Sequence, residues 1–184
     1  MRTSLTDPLR IAVVSAPGIP GAIGLTLCPG KKDQAGGWNR DLETDLTVIR
    51  EWGAEIVVTL VEHHEFLLLD VTDLANVVAR HGMEWVHLPI RDVSVPGDRF
   101  EAQWLTAGAE LRKVIRRGGS VLVHCRGGLG RAGMIAARLL VELGMEPEAA
   151  IKAVRNARSL QAIETREQEA HVRGCCRVND LEEA

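Results

Sequence analysis

Apolar residues recur along this chain in two rhythms, and the switches between them outline its fold. Two dense apolar runs, IAVVSA at 11–16 and AIGLTLC at 22–28, are separated by a Pro/Gly turn and read as paired strands. Leu42, Leu46 and Ile49 then share one face of a helix that stops at Gly53, and EIVVTLV at 55–61 reads as a buried strand. The alternation repeats. Leu74, Val77 and Val78 mark a helix closed by His81-Gly82, and Met83 to Ile90 is extended. After the polar loop RDVSVPGD comes a long helix near 99–117, with Trp104, Leu111 and Ile115 on one stripe and a basic last turn before Gly118-Gly119. SVLVHC at 120–125 is the next strand. From Arg131 onward the pattern is helical: Ile135, Leu139 and Leu143, then Pro147 opening a helix through Ile151 and Val154, then Glu164 to Arg173. The order predicts an α/β fold with a central, mostly parallel sheet flanked by helices, its site built from loops at the carboxyl ends of the strands. One domain spanning 1–184 is expected, with a loose acidic tail after Gly174.

Composition narrows the partners. The 184 residues carry a formal charge of −3 and include four tryptophans, two phenylalanines and no tyrosine, which supplies neither a basic field nor stacking platforms for nucleic acid. The cysteines at 28, 125, 175 and 176 fit neither a disulfide framework nor paired C-x-x-C zinc ligands, so a reducing, cytoplasmic setting is expected. Ile11 to Leu27 is too broken by proline and glycine for a membrane span or signal segment, and no membrane partner is expected.

The chemistry concentrates in VLVHCRGGLGRAG, 121–133. Glycines between a strand and a helix let successive N–H groups converge on one concavity, and the helix start adds its positive end, which makes an oxyanion pocket of Arg126, Gly127, Gly128, Leu129, Gly130 and Arg131. Arg131 supplies a forked donor over the anion that Cys125 faces from below. The thiolate is the nucleophilic form, so Cys125 is placed to attack phosphorus. Asp92, in the loop after the Met83–Ile90 strand, is the candidate general acid, with Asp98 as alternative. His124 either orients the sulfur or ends the strand. No metal or cofactor is required, because amides and Arg131 stabilise the developing charge. Glu62, His63, His64 and Glu65 resemble a ligand cluster but read as a solvated face. Lys31, Lys32 and Arg40 either attract an anionic substrate or serve solubility, and Cys175-Cys176 are either incidental or a redox partner for Cys125.

HCRGGLGRAG resembles the phosphate loop of the cysteine-dependent dual-specificity phosphatases. LCPGKKDQ, LPIRD and AIETREQ together make residues 20–172 similar to the kinase-associated, or cyclin-dependent kinase inhibitor 3-like, group. The resemblance implies a protein-tyrosine-phosphatase-like fold with Cys125 as nucleophile, Arg131 as phosphate clamp and Asp92 as general acid, acting on a phosphorylated protein or peptide or on a small phosphate ester. Two positions depart from the pattern. Ala132 stands where a serine or threonine commonly supports the sulfur as leaving group, and Glu164 stands where a glutamine helps to position water. The missing tyrosine implies a shallow pocket open to phosphoserine, phosphothreonine and phosphotyrosine. Two rival readings are a rhodanese-like sulfurtransferase, whose loop typically lacks this arginine, and a non-catalytic phosphoresidue-binding module, which Ala132 and Glu164 favour. Because Ala132 has no hydroxyl, breakdown of a phosphocysteine is expected to be slow. Rapid kinetics should show a burst, and Ala132→Ser should raise steady-state turnover by roughly tenfold; unchanged turnover contradicts this.

Overall fold

The computed structural model describes residues 1–179. Its main sheet has the order β1-β2-β7-β5-β6, formed by Ala12–Val14 (β1), Ala22–Thr26 (β2), Ala54–Thr59 (β5), Glu84–His87 (β6) and Ser120–His124 (β7). Only β1 runs antiparallel, pairing with β2; β2, β7, β5 and β6 are parallel. The expected α/β architecture, a mostly parallel sheet flanked by helices, is the one observed.

Strand β7 lies at the centre and is buried on both faces, as its unbroken run of branched residues requires. Val121 and Val123 face one core with Leu111, Ile115, Ile135 and Leu139, while Leu122 faces the other with Leu46, Ile49, Leu74 and Val78. The first core lies under α4 (Asp98–Arg116), α5 (Gly130–Glu142), α6 (Pro147–Ala157) and α7 (Arg166–Arg173). The second lies under α1 (Leu42–Glu51), α2 (His63–Leu68) and α3 (Leu74–Arg80). Every residue of α5 is buried, so the helix that follows the glycine loop is fixed from all sides. No helix among the described residues is long and apolar enough to cross a membrane.

Several details differ from the sequence pattern. The loop after β2 contains a small hairpin, Lys32–Asp33 (β3) against Trp38–Asn39 (β4), too short to leave an alternating signature. Helix α2 occupies the segment read as a solvated face. The tail is docked as far as the structure describes it: the Val178 amide donates to the Glu142 carbonyl (2.9 Å) and Arg116 Nη2 to the Val178 carbonyl (2.8 Å). The remainder of the expected loose tail, 180–184, lies outside the described residues.

The loop between β2 and α1 is held by a buried ion pair. Arg40 Nε and Nη2 bond both oxygens of Asp45 at 2.7 and 2.8 Å, and the Gly30 amide donates to Asp45 Oδ2 at 2.8 Å. Arg40 is therefore an internal strut and not the substrate-attracting cation considered from sequence. Asp45→Ala leaves a buried guanidinium uncompensated and is expected to cost about 3–5 kcal/mol, measured by denaturant unfolding. A loss below about 1 kcal/mol contradicts the strut.

Candidate functional site

Four parallel strands deliver their carboxyl ends to one place. Strand β7 ends at His124 and hands over to Cys125, whose residue is 3% exposed. The Gly128 amide points back at the sulfur, 3.2 Å from Sγ. Gly128 has φ +70, and a Cβ there would lie 2.4 Å from the Thr26 carbonyl, so the turn that aims this amide admits no side chain. On the outside of the loop, consecutive carbonyls are tied down. The Arg126 carbonyl accepts from the Cys28 amide (3.3 Å) and Lys31 Nζ (3.3 Å). The Gly127 and Gly128 carbonyls accept from Arg158 Nη2 (3.1 Å) and Nε (2.9 Å). With carbonyls held outward, the amides face inward.

Arg131, in the first turn of α5, is 1% exposed. Its Nη1 and Nη2 grip Glu65 of α2 at 2.6 and 2.9 Å, Nη1 also donates to the Ile90 carbonyl (3.1 Å), and Nη2 lies 2.9 Å from Asp92 Oδ1. Burial opposes the charge, but Glu65, the Cys125 sulfur and Asp92 outweigh it, so the pKa of Arg131 stands above its ordinary value. One donor is left: Arg131 Nε is buried and has no hydrogen-bond partner among the described residues. A buried donor on a charged group is costly to leave unmet, and the fitting acceptor beside an amide-lined loop is an anion.

Asp92 is half exposed in a turn where the Ser94 amide donates to the Arg91 carbonyl (3.1 Å) and Val93 takes φ +56. That conformation is strained for a branched residue. His124 is fully buried, and its Nε2 lies 2.7 Å from Thr59 Oγ1, which also accepts from Trp85 Nε1 (2.8 Å). Burial lowers its pKa to about 4, so the ring is neutral above that pH. Ala132 is buried in α5, and Glu164 Oε2 would lie 2.0 Å from a Cβ at Gly130, so the carboxylate rests on the loop.

Residues 35–145, which hold Glu65, Asp92, Cys125 and Arg131, match the family model described as "Polymorphic toxin system, DSP-PTPase phosphatase". The chain belongs to that family. Rat cyclin-dependent kinase inhibitor 3 is 29% identical over 150 residues, covering 79% of this chain and 68% of that protein. Human protein tyrosine phosphatase type IVA 3 is 32% identical over 120 residues, 65% of this chain and 64% of that one. The crystal structure of a kinase-associated phosphatase whose catalytic-site cysteine is replaced by serine superposes with a TM-score of 0.80 at 26% identity, covering 90% of this chain and 92% of that one. This is a cysteine-based phosphatase of the dual-specificity and tyrosine type, a hydrolase of phosphomonoesters, and the sulfurtransferase and binding-module readings are not favoured.

The structure brings to Arg131 and the loop residues to which the sequence reading gave no part there. Glu65 is 4% exposed and bonded to Arg131, not part of a solvated face. Its neighbour His63 packs against the His87 ring, with centroids 4.9 Å apart. Burial raises the pKa of Glu65, but the hydrogen bonds from Arg131 and the Glu62 amide prevail and bring it below the ordinary value. Gln168, fully buried, accepts from the Glu164 amide (2.8 Å) and donates to the Ser94 carbonyl (3.2 Å), tying the Asp92 turn to the segment beside the phosphate loop. The cysteine beside Cys125 is Cys28, whose sulfur feels its charge and whose thiol is pushed well up by burial. Cys175 sits instead at the end of α7 and bonds the His171 carbonyl, its pKa pushed up to about 11 by burial. Glu65→Gln keeps the shape but loses the charge. It is expected to lower the melting temperature, because the buried Arg131 guanidinium loses its partner's charge, and to lower kcat/KM for a phosphate ester by about 10²-fold in protein still folded at the assay temperature; unaltered kcat/KM overturns the orienting role.

Proposed function

We propose that Cys125, Arg131 and Asp92 perform the phosphatase reaction of this chain through a phosphocysteine, with a phosphorylated protein or peptide as substrate. The observation that carries this reading is the unmet Arg131 Nε donor, buried beside the Cys125 sulfur and the glycine-loop amides. A tetrahedral dianion there accepts from the loop amides at 126–131 and from Arg131, and its phosphorus faces the sulfur.

In the first step the Cys125 thiolate forms the S–P bond as the ester O–P bond breaks, and Asp92 gives its proton to the departing oxygen. In the second, Asp92 takes a proton from water, the water oxygen bonds phosphorus, and the S–P electron pair returns to Cys125. Phosphate oxygens compete with Asp92 for Arg131 Nη2, so substrate entry frees the carboxyl for the leaving group. His124 is neutral above about pH 4 and anchored through Thr59 to Trp85, so its part is to hold the strand end that carries the sulfur. The carboxylate of Glu164 rests on the loop at Gly130, and we assign it the orientation of the hydrolytic water. The catalytic-site cysteine named for the kinase-associated phosphatase, superposed at 26% identity, supports Cys125 as its counterpart. The kinase-associated relatives support a phosphoprotein over a small ester.

The test is a panel of phosphotyrosine, phosphothreonine and small phosphate esters assayed with chelator present. Cys125→Ser is expected to abolish phosphate release. Asp92→Asn is expected to slow esters of poor leaving groups by about 10²-fold or more, and to spare those with an acidic leaving group. Equal slowing across leaving groups contradicts Asp92 as proton donor, and residual turnover in Cys125→Ser contradicts the nucleophile.

A further inference from the structure

A series of hydrogen bonds leads from the edge strand of the sheet to the residue before the nucleophile. Parallel pairing sets Thr59 of β5 opposite His124 of β7 on one side and His87 of β6 on the other. Trp85, two positions before His87, shares its face of β6, and its indole reaches back to Thr59. Thr59 and His124 are both fully buried. The outer side of Trp85 is held by the rings of His87, stacked with centroids 5.2 Å apart, and Phe66, at 6.4 Å.

Each hydrogen in this series has one place. An indole N–H only donates, so Trp85 Nε1 gives its hydrogen to Thr59 Oγ1 at 2.8 Å. The other bond of that hydroxyl among the described residues is to His124 Nε2, at 2.7 Å. A buried hydroxyl hydrogen requires an acceptor, so Oγ1 donates to Nε2, and Nε2 carries no hydrogen. The ring is neutral above about pH 4, and its proton therefore sits on Nδ1. Nδ1 is buried with no hydrogen-bond partner of good geometry among the described residues. The group that acts on it is the Cys125 main chain, whose bond favours the charged ring and so comes from a carbonyl. The peptide that carries this carbonyl also carries the Arg126 amide, the first of the loop amides. An Nδ1–H draws the carbonyl toward the ring, whereas a bare Nδ1 repels it.

We infer that Thr59 and Trp85 are positioning residues, which together hold His124 with its proton on Nδ1 so that the ring draws in the Cys125 carbonyl and turns the Arg126 amide toward the phosphate. Without the indole, the Thr59 hydroxyl is free to accept from the ring as well as to donate to it, and neither tautomer is fixed. Arg131, Glu65 and His87 act on the ring through charge, and Lys31, Arg131 and Arg158 on the sulfur. Thr59 and Trp85 are uncharged, so replacing them leaves those charges in place. The inference rests on the phosphatase reading and adds two residues to it.

The test reads tautomer and rate separately. In NMR of the isotope-labelled histidine nitrogens near neutral pH, the His124 ring, assigned by its absence from His124→Asn, is expected to carry hydrogen on Nδ1 and none on Nε2. Hydrogen on Nε2 in the wild type overturns the inference. Thr59→Val, nearly the same in shape, is expected to lower kcat/KM for p-nitrophenyl phosphate and to weaken inhibition by vanadate, each by roughly tenfold, with hydrogen appearing on Nε2. Thr59→Ser keeps the hydroxyl and is expected to stay within about twofold of wild type. A Thr59→Ser protein as impaired as Thr59→Val assigns the loss to packing and overturns the role of the hydroxyl, as does unchanged kcat/KM in Thr59→Val. Trp85→Phe is expected to show both tautomers. Hydrogen on Nδ1 alone in that variant overturns the part given to the indole, and this reading stands even where Thr59→Val does not fold. The spectra need no turnover: activity retained in Cys125→Ser defeats the catalytic reading and leaves the tautomer standing, whereas hydrogen on Nε2 in an enzyme that Cys125→Ser silences defeats the positioning role alone.

Discussion

A short loop that must turn its amides inward and its carbonyls outward is the constraint on which this molecule depends. Left alone, such a backbone would present its carbonyls to the sulfur as readily as its amides, and a carbonyl repels both a thiolate and a phosphate. The fold removes that freedom. The carbonyls of Arg126, Gly127 and Gly128 are each capped from outside, by the Cys28 amide, Lys31 and Arg158. Gly128 takes the left-handed turn that no residue with a Cβ would fit against Thr26. Two of the caps are cations, so the groups that hold the loop also add positive potential beside the sulfur.

The second layer is a relay of charge between strand ends. Glu65 follows β5, Asp92 follows β6, and Arg131 follows β7; the buried guanidinium grips the first with both of its terminal nitrogens and touches the second with one. Glu65 in turn is fixed by the Glu62 amide at 2.8 Å. A buried arginine held this firmly keeps its remaining Nε–H aimed without reorganising when an anion arrives, which is what electrostatic preorganisation requires. The wholly buried α5 gives this arrangement a rigid base, because its first turn cannot move without disturbing the core that packs around it.

How much of this was readable before the fold was known depended on the range of each interaction. The alternation of strands and helices, the long helices and the cysteine-to-arginine loop leave signals within one sequence window: branched runs, 3–4 spacing, and glycines between strand and helix. Glu65 leaves no such mark. In a window it is one acidic residue among histidines, and only the parallel pairing of β5 with β7 brings it to Arg131, 66 positions away. Arg158 and Gln168 are likewise polar residues on helical segments until tertiary packing turns them onto the loop carbonyls and the Asp92 turn. Arg40 was read as a surface cation because its partner, Asp45, looks from sequence like any acidic residue in a first helical turn. The hairpin of two-residue strands is too short to carry a period at all.

The central claim is that Cys125 becomes phosphorylated under the amide loop. Rapid-quench mass spectrometry of the wild-type protein mixed with excess phosphate ester tests it most directly, because Ala132 is expected to let the intermediate accumulate. The account predicts one phosphate on the peptide carrying Cys125 within the first turnover. Release of phosphate with that peptide unmodified throughout, or a phosphate lodged on another residue, would contradict it.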